Sequence, residues 1–93
     1  MIHFVMHDPK DSVGVVVVEG VRAGMDLNGW IIDEDRMTSV RAIQDIPIGH
    51  KVALRDMAPG ETVFKYDVDI GVVTAPIAAG AHAHVHNIKT KRW

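Results

Sequence analysis

Short runs of apolar and β-branched residues, each ended by a turn, occupy most of the chain. Valine, isoleucine, threonine and aromatic residues pack well on a pleated surface, so such runs favour β-strands. The nearest candidate for a helix, residues 33–43, has Asp33 as a possible N-cap but is weakened by Thr38 and Val40. We expect at most one short helical turn there. The pattern predicts seven strands, at residues 2–6, 13–19, 38–43, 51–54, 63–66, 70–73 and 82–88.

A recurring turn phrase separates these runs. In each copy, glycine follows one apolar residue by three positions and precedes another by three, as around Gly24, Gly49, Gly60 and Gly80. Glycine adopts positive φ without steric cost, so each copy predicts a tight turn that leads into a short strand. The intervals are unequal, unlike the fixed period of a solenoid. These features predict a mainly β fold, compact and irregular, with short turns and little helix.

The composition limits the classes of function. The 93 residues, of which 47% are hydrophobic and 24% charged, suffice for one domain, predicted at residues 1–93. They are too few for a roomy enclosed active site, so size favours a site shared with a partner. The net charge of −2 gives no general reason to bind nucleic acid.

Cysteine usage and hydropathy further limit the possible metal ligands and the expected cellular location. The chain has no cysteine, so a bound metal would have nitrogen and oxygen ligands. The longest purely aliphatic run, residues 15–18, is far shorter than a membrane span, and the chain does not begin with a signal-peptide pattern. We therefore expect a cytoplasmic protein without membrane contact.

Three of the six histidines stand in one short segment, where His82, His84 and His86 alternate with Ala83 and Val85. In an extended strand, alternate side chains share a face, so the imidazoles would form a row that binds a divalent ion or moves protons. A strand rises about 3.3 Å per residue, which would place His82 and His86 roughly 13 Å apart, too far for one ion. The most natural metal-binding pair is His84 and His86, with further ligands from elsewhere. The alternative is a surface strand with exposed histidines.

Gly49-His50-Lys51 is the second candidate site. Its imidazole and ammonium suit an anionic substrate, because lysine pairs with a carboxylate or sulfonate while histidine transfers a proton. The alternative is a solvent-exposed turn, and the functional interpretation gains weight if the fold brings this turn near the histidine segment. His3 and His7 are more typical of an edge strand and a turn. The acidic run at residues 33–35 is more typical of a solvated face than of a metal site.

Several segments, taken in order, resemble the SAF domain at the N-terminus of altronate and galactarate dehydratases. Residues 11–15 fit the same pattern, so the resemblance covers nearly the whole chain. It implies a β-clip fold similar to that of type III antifreeze protein. The segments are Ile46-Pro47-Ile48-Gly49-His50-Lys51-Val52-Ala53-Leu54, Pro59-Gly60-Glu61, Lys65-Tyr66, Ile70-Gly71, and Gly80 followed by His82-Ala83-His84-Val85-His86-Asn87.

A chain that stops after this domain and ends in Lys89-Thr90-Lys91-Arg92-Trp93 is most similar to the small subunits of certain carbon–sulfur lyases. That resemblance implies a metal-dependent β-elimination that cleaves the C–S bond of (2R)-3-sulfolactate to pyruvate and sulfite, with Fe²⁺ as the divalent metal. It also implies a larger beta subunit that supplies most of the active site. The alternatives are the small subunit of a sugar-acid dehydratase of the altronate/galactarate type, and a non-catalytic SAF module that binds an anion or a partner.

Residue pattern and resemblance together predict a set of site residues. No contact with nucleic acid or membrane is expected. The predicted catalytic residues are His82, His84, His86 and His50, the predicted metal ligands are His84 and His86, and the predicted substrate-binding residues are Lys51 and Asn87.

Overall fold

The computed structural model describes residues 1–66 and 68–90. This part of the chain is mainly β, as predicted, and its one helical turn is a 3-10 helix at Ile32–Glu34. Nowhere in these two ranges is there a helix with the length and apolar character needed to span a membrane. The strands are β1 (Phe4–Met6), β2 (Val13–Val16), β3 (Asp26–Ile31), β4 (Arg36–Arg41), β5 (Lys51–Ala53), β6 (Thr62–Lys65), β7 (Val68–Val73), β8 (His82–Ala83) and β9 (Ile88–Lys89).

The strands form two sheets. The larger has six strands in the order β4-β3-β1-β2-β5-β8, in which β1 and β3 are parallel and the other neighbours are antiparallel. The smaller sheet is antiparallel and has the order β6-β7-β9. Because β5 and β8 are neighbours at one edge, two segments that are distant in sequence lie side by side there.

Two apolar clusters hold this arrangement together. The first joins β1, β2, β3 and β5 and includes Phe4 and Leu27, while the second includes Val63 and Ile77. Gly29 lies against the ring of Phe4, and a Cβ at this position would overlap the ring. The close approach explains why a residue of low strand propensity stands inside β3.

The four turn phrases adopt the predicted conformation. Each glycine lies in the left-handed region that favours this residue. The φ angles are 91° at Gly24, 84° at Gly49, 92° at Gly60 and 86° at Gly80.

These turns also associate in twos. Val21 and Ile46, which begin the first two phrases, pair as an isolated antiparallel bridge, and so do Met57 and Ile77, which begin the other two. We name the two associations by their residues. The first turn pair consists of residues 21–27 and 46–52, and the second turn pair consists of residues 57–63 and 77–83.

The strand prediction is wrong at residues 82–88. This segment is not one extended strand, because β8 ends at Ala83, residues 84–87 turn, and β9 begins at Ile88. The side chain of Asn87 closes the turn: its Oδ1 accepts a hydrogen bond from the His84 N–H at 2.8 Å, and its Nδ2 donates to the His82 carbonyl at 3.0 Å. The alternation of small and polar residues is therefore not the period of a strand here.

The hydrophobic pattern also misses β3. Asp26, Asn28 and Gly29 have low intrinsic strand propensity, which hides this segment from a reading of the sequence. In the structure β3 pairs with β4 along its whole length and with β1 at residues 29–31. Pairing on both edges outweighs the local preference.

Candidate functional site

Three histidines from two distant segments meet at the edge of the larger sheet. His50 directly precedes β5, and His82 begins β8. These strands pair antiparallel, with Val52 opposite His82. One ligand atom each of His50, His82 and His84 lies within 4.8 Å of the other two. The turn at His50 thus lies beside the histidine segment, the condition under which its functional interpretation gains weight.

The rings of this histidine cluster, His50, His82 and His84, contact one another directly. His50 Nδ1 and His82 Nε2 are 2.8 Å apart, so one of these nitrogens carries the proton and the other accepts it. The ring of His50 stacks on that of His84 with centroids 4.2 Å apart, and the centroids of His82 and His84 are 5.5 Å apart. The three imidazoles form a compact nitrogen-rich group.

His86 lies next to this cluster because the chain turns after Ala83. The ring centroids of His82 and His86 are 5.3 Å apart, far less than the roughly 13 Å expected for an extended strand. The His84–His86 pair was favoured as metal ligands because of the spacing in an extended strand, and that spacing does not apply here. The structure instead gathers His50, His82 and His84, while metal binding by His84 and His86 stays a prediction.

The donor chemistry of the histidine cluster fits a divalent metal ion. His84 Nδ1 is buried and has no hydrogen-bond partner, so a metal ion would satisfy an otherwise costly polar atom. Burial first, and then the charge of His50, lower the pKa of both His82 and His84. A lowered pKa keeps both imidazoles neutral, which is the state that binds metals. Because their ligand atoms already lie within 4.8 Å of one another, His50, His82 and His84 are the residues that would hold such an ion.

Two residues around the cluster fix its backbone. Gln44, which the sequence analysis missed, accepts a hydrogen bond from the His82 N–H through Oε1 at 2.8 Å. Asn87 is buried and holds the turn from His82 to His84, as described above. Its amide acts here on the backbone, and its predicted contact with substrate stays a prediction. No local signal distinguishes Gln44 in the sequence, because its role depends on where β8 lies.

A groove of about 340 Å³ opens beside His84. Lys51 and Lys65 line it together with apolar side chains that include Ile70 and Val85. Lys51 is half-buried; this burial, and secondarily the charge of Lys65, lower the pKa of Lys51. Lys51 could be singled out from the sequence because it follows His50, whereas no role is predicted there for Lys65. The groove therefore continues the site from the imidazoles to a pair of ammonium groups.

The remaining candidates lie outside the histidine cluster. His3 Nδ1 accepts a hydrogen bond from the Asn28 N–H at 3.0 Å, and the ring of His7 packs on Tyr66 with centroids 4.0 Å apart. Residues 33–35 belong to the 3-10 helix and the residue after it. The basic C-terminal residues 91–93 lie outside the described residues.

The sequence matches one protein family over nearly its whole length. Residues 2–91 match the family described as the altronate/galactarate dehydratase SAF domain. The chain belongs to this family, as the resemblance predicted.

Similarity to individual relatives is more specific. The chain is 60% identical over 92 residues to the (2R)-sulfolactate sulfo-lyase subunit alpha of Chromohalobacter salexigens, covering 99% of this chain and 98% of that subunit. It is 57% identical over 49 residues to the (2R)-sulfolactate sulfo-lyase subunit alpha of Paracoccus pantotrophus, covering 53% of this chain and 73% of that subunit. It is also 53% identical over 62 residues to the altronate dehydratase of Escherichia coli, but that match covers only 12% of the dehydratase.

Proposed function

We propose that the chain is the alpha subunit of a (2R)-sulfolactate sulfo-lyase, a carbon–sulfur lyase. The observation that carries this proposal is the 60% identity to such a subunit over nearly the full length of both chains. The histidine cluster, in which the buried His84 Nδ1 has no hydrogen-bond partner, supports a metal-dependent reaction. A sugar-acid dehydratase role is second, since the altronate dehydratases match over only 12% and 17% of their length.

The reaction is a β-elimination. A base removes the proton from the carbon that bears the carboxylate and hydroxyl, the C–S bond breaks with its electron pair leaving as sulfite, and the resulting enol becomes pyruvate. A divalent ion bound by His50, His82 and His84, proposed to be Fe²⁺, would supply Lewis acidity that stabilises the developing enolate. His86 is exposed beside this cluster, so we assign it the transfer of a proton. Lys51 faces the groove and holds an anionic group of the substrate.

The site is incomplete without a second chain. The histidines lie at a sheet edge in a half-buried setting, and the three imidazoles leave coordination positions open for outside ligands. We therefore propose a cytoplasmic hetero-oligomer in which a larger beta subunit covers the cluster and provides the rest of the active site. Val85, which is 82% exposed in the turn at residues 84–87, is the apolar side chain best placed for that contact.

The test is a double variant, His82→Ala with His84→Ala, purified with the large subunit. We expect at least ~100-fold loss of sulfolactate cleavage and a matching loss of bound metal, because each substitution removes a proposed ligand. His3→Asn is the matched control, since the new amide oxygen can still accept the Asn28 N–H outside the cluster. Sulfite release and metal content are measured on the same samples.

Three outcomes would contradict the proposal. Full activity in the double variant would exclude the histidine cluster from catalysis. Turnover of altronate or galactarate in place of sulfolactate would favour the dehydratase. A chain that binds no metal and changes the activity of no large subunit would favour the non-catalytic binding module.

A further inference from the structure

Two lysine side chains line the groove beside His84. Lys51 and Lys65 both line it, and no acidic side chain is among the described residues that do so. Neither lysine takes part in the ion pairs of the described part of the chain, which join Arg22 to Asp45, Arg36 to Glu34 and Arg41 to Asp26. Like charges that line one groove repel each other, and an anion bound between them would offset that repulsion.

Lys65 is held in place by buried polar groups on both of its sides. Ser12 is fully buried, and its Oγ accepts the Phe64 N–H at 3.0 Å. Asp11 is also buried, and its Oδ2 accepts the Tyr66 N–H at 2.9 Å. These contacts fix the backbone at the end of β6 on each side of Lys65 and so set the point from which its side chain extends.

The conformation after Lys65 supports the same conclusion. Tyr66 has a φ of 54°, in the left-handed region that a tyrosine rarely adopts. The Lys65 Nζ lies 5.2 Å from the centroid of the Tyr66 ring, which directs the ammonium without neutralising it. Strained backbone of this kind persists where the surrounding structure requires it and is frequent at binding sites.

The lining favours a small oxyanion. Ile70, Val85 and Ile88 give the groove apolar walls, so the two lysines and His84 are its groups able to bind an anion strongly. His84 both lines the groove and belongs to the histidine cluster. A substrate with two anionic ends could therefore contact the cluster with one end and the lysines with the other.

We propose that Lys65 is a substrate-binding residue which, together with Lys51, forms a subsite for a carboxylate or sulfonate group of the substrate. This inference rests on the proposed function, because it assigns to that reaction a residue with no role so far.

The experiment compares Lys65→Gln with wild type in the complex with the large subunit. We expect the KM for sulfolactate to rise by ~10- to 100-fold while kcat changes much less, because a charge-assisted contact to the substrate is lost. Lys65→Arg should keep most of the affinity, since it keeps the charge. Lys10→Gln, an exposed lysine outside the groove, should leave both constants unchanged. Equal KM values for Lys65→Gln and wild type would overturn the inference.

Product inhibition distinguishes the two ends of the substrate. If the lysines bind the sulfonate end, Lys65→Gln should weaken inhibition by sulfite, whereas if they bind the carboxylate end, it should weaken inhibition by pyruvate. Either result supports the subsite. Inhibition constants that are unchanged for both products would overturn it.

The subsite can fail separately from the proposed function. If the wild-type complex does not cleave sulfolactate, the proposed function is wrong, and the subsite is tested on the 93-residue chain with sulfate as the probe. Changes in the NMR chemical shifts of backbone amides around Lys51, Lys65 and Val85 on addition of sulfate would support the subsite if they disappear in Lys65→Gln but not in Lys10→Gln. No such shifts at matched ionic strength would overturn it.

Discussion

The turn at Gly24 and the turn at Gly80 are built alike but lie in different surroundings. Their φ angles are 91° and 86°, and their N–H groups donate to the carbonyls of Ala42 and Ala53 at 2.7 and 2.8 Å. In both turns the N–H of the residue before glycine donates to an aspartate that directly precedes the associated turn, Asp45 for Ala23 and Asp56 for Ala79. The two turns thus share the same backbone conformation and the same pattern of hydrogen bonds.

What differs is the structure packed against each turn. The space around Gly24 is open, and the strand after it carries the exposed Asp26–Arg41 ion pair. Gly80 lies against the backbone of Arg41, and the strand after it begins with His82 beside His50. A turn phrase that occurs four times is therefore not itself the site. The site forms where two such turns lead into neighbouring strands.

Alanine at the two glycines should give the largest difference between these turns. Gly24→Ala should destabilise the fold by about 1–2 kcal/mol through the left-handed backbone alone. Gly80→Ala should add overlap with the Arg41 carbonyl, another 1–3 kcal/mol or so, for a total of roughly 2–5 kcal/mol. Urea unfolding measures both values. Equal losses would show that the two surroundings do not differ as the structure indicates.

Removal of the Asn87 side chain should have an intermediate effect on stability and should act only on the turn at residues 84–87. Asn87→Ala removes two hydrogen bonds to the backbone of His82 and His84, so we expect a loss of about 2 kcal/mol. Metal affinity should fall about 10- to 100-fold as the histidines lose their fixed positions. Asn28→Ala is the control, since that side chain makes only a long contact to the Met1 carbonyl. Unchanged metal affinity in Asn87→Ala would show that the turn held by Asn87 does not position the metal ligands.

The smallest expected difference between the two turns is in how the stability of the fold depends on pH. The pKa of His82 and that of His84 are lowered from the usual 6.5, so the folded metal-free chain binds fewer protons there than the unfolded chain. Their contribution to stability is complete above pH 6.5 and is lost as the pH falls from 6.5 through the lowered values. The hydrogen bond from Arg41 lowers the pKa of Asp26 below its usual 3.8, outside this window.

Urea midpoints of the metal-free chain between pH 7.5 and 5 measure this contribution. The wild-type midpoint should decline more than that of the His82→Gln, His84→Gln double variant. Parallel curves would show that these two histidines do not respond to their buried surroundings.

Much of the fold could be predicted because its signals are local. The positive φ of Gly49 follows from the steric freedom of one residue, and the strand β5 follows from the β-branched and apolar residues after it. The helical turn was limited correctly to a few residues for the same reason. In contrast, β3 and the turn after Ala83 depend on partners far away or on one side chain, and the pattern predicts neither correctly.

The candidate site divides in the same way. His50 and His82 could be singled out from the sequence, because His50 stands beside a lysine at a glycine turn and His82 belongs to a segment with three histidines in five residues. Gln44 and Lys65 could not, because a glutamine and a lysine at exposed or half-exposed positions have no distinguishing local pattern. Their roles arise from the strands against which they lie.

The sequence by itself determined the residue chemistry of this protein: nitrogen ligands without cysteine, four glycine turns and short apolar strands. Only the tertiary structure decided which of these meet. Pairing of β5 with β8 joins His50 to His82, and the hydrogen bonds of Asn87 return the chain so that His84 and His86 approach. The physical reason is range: conformational preferences act within a few residues, whereas strand pairing and burial join positions that the sequence keeps apart.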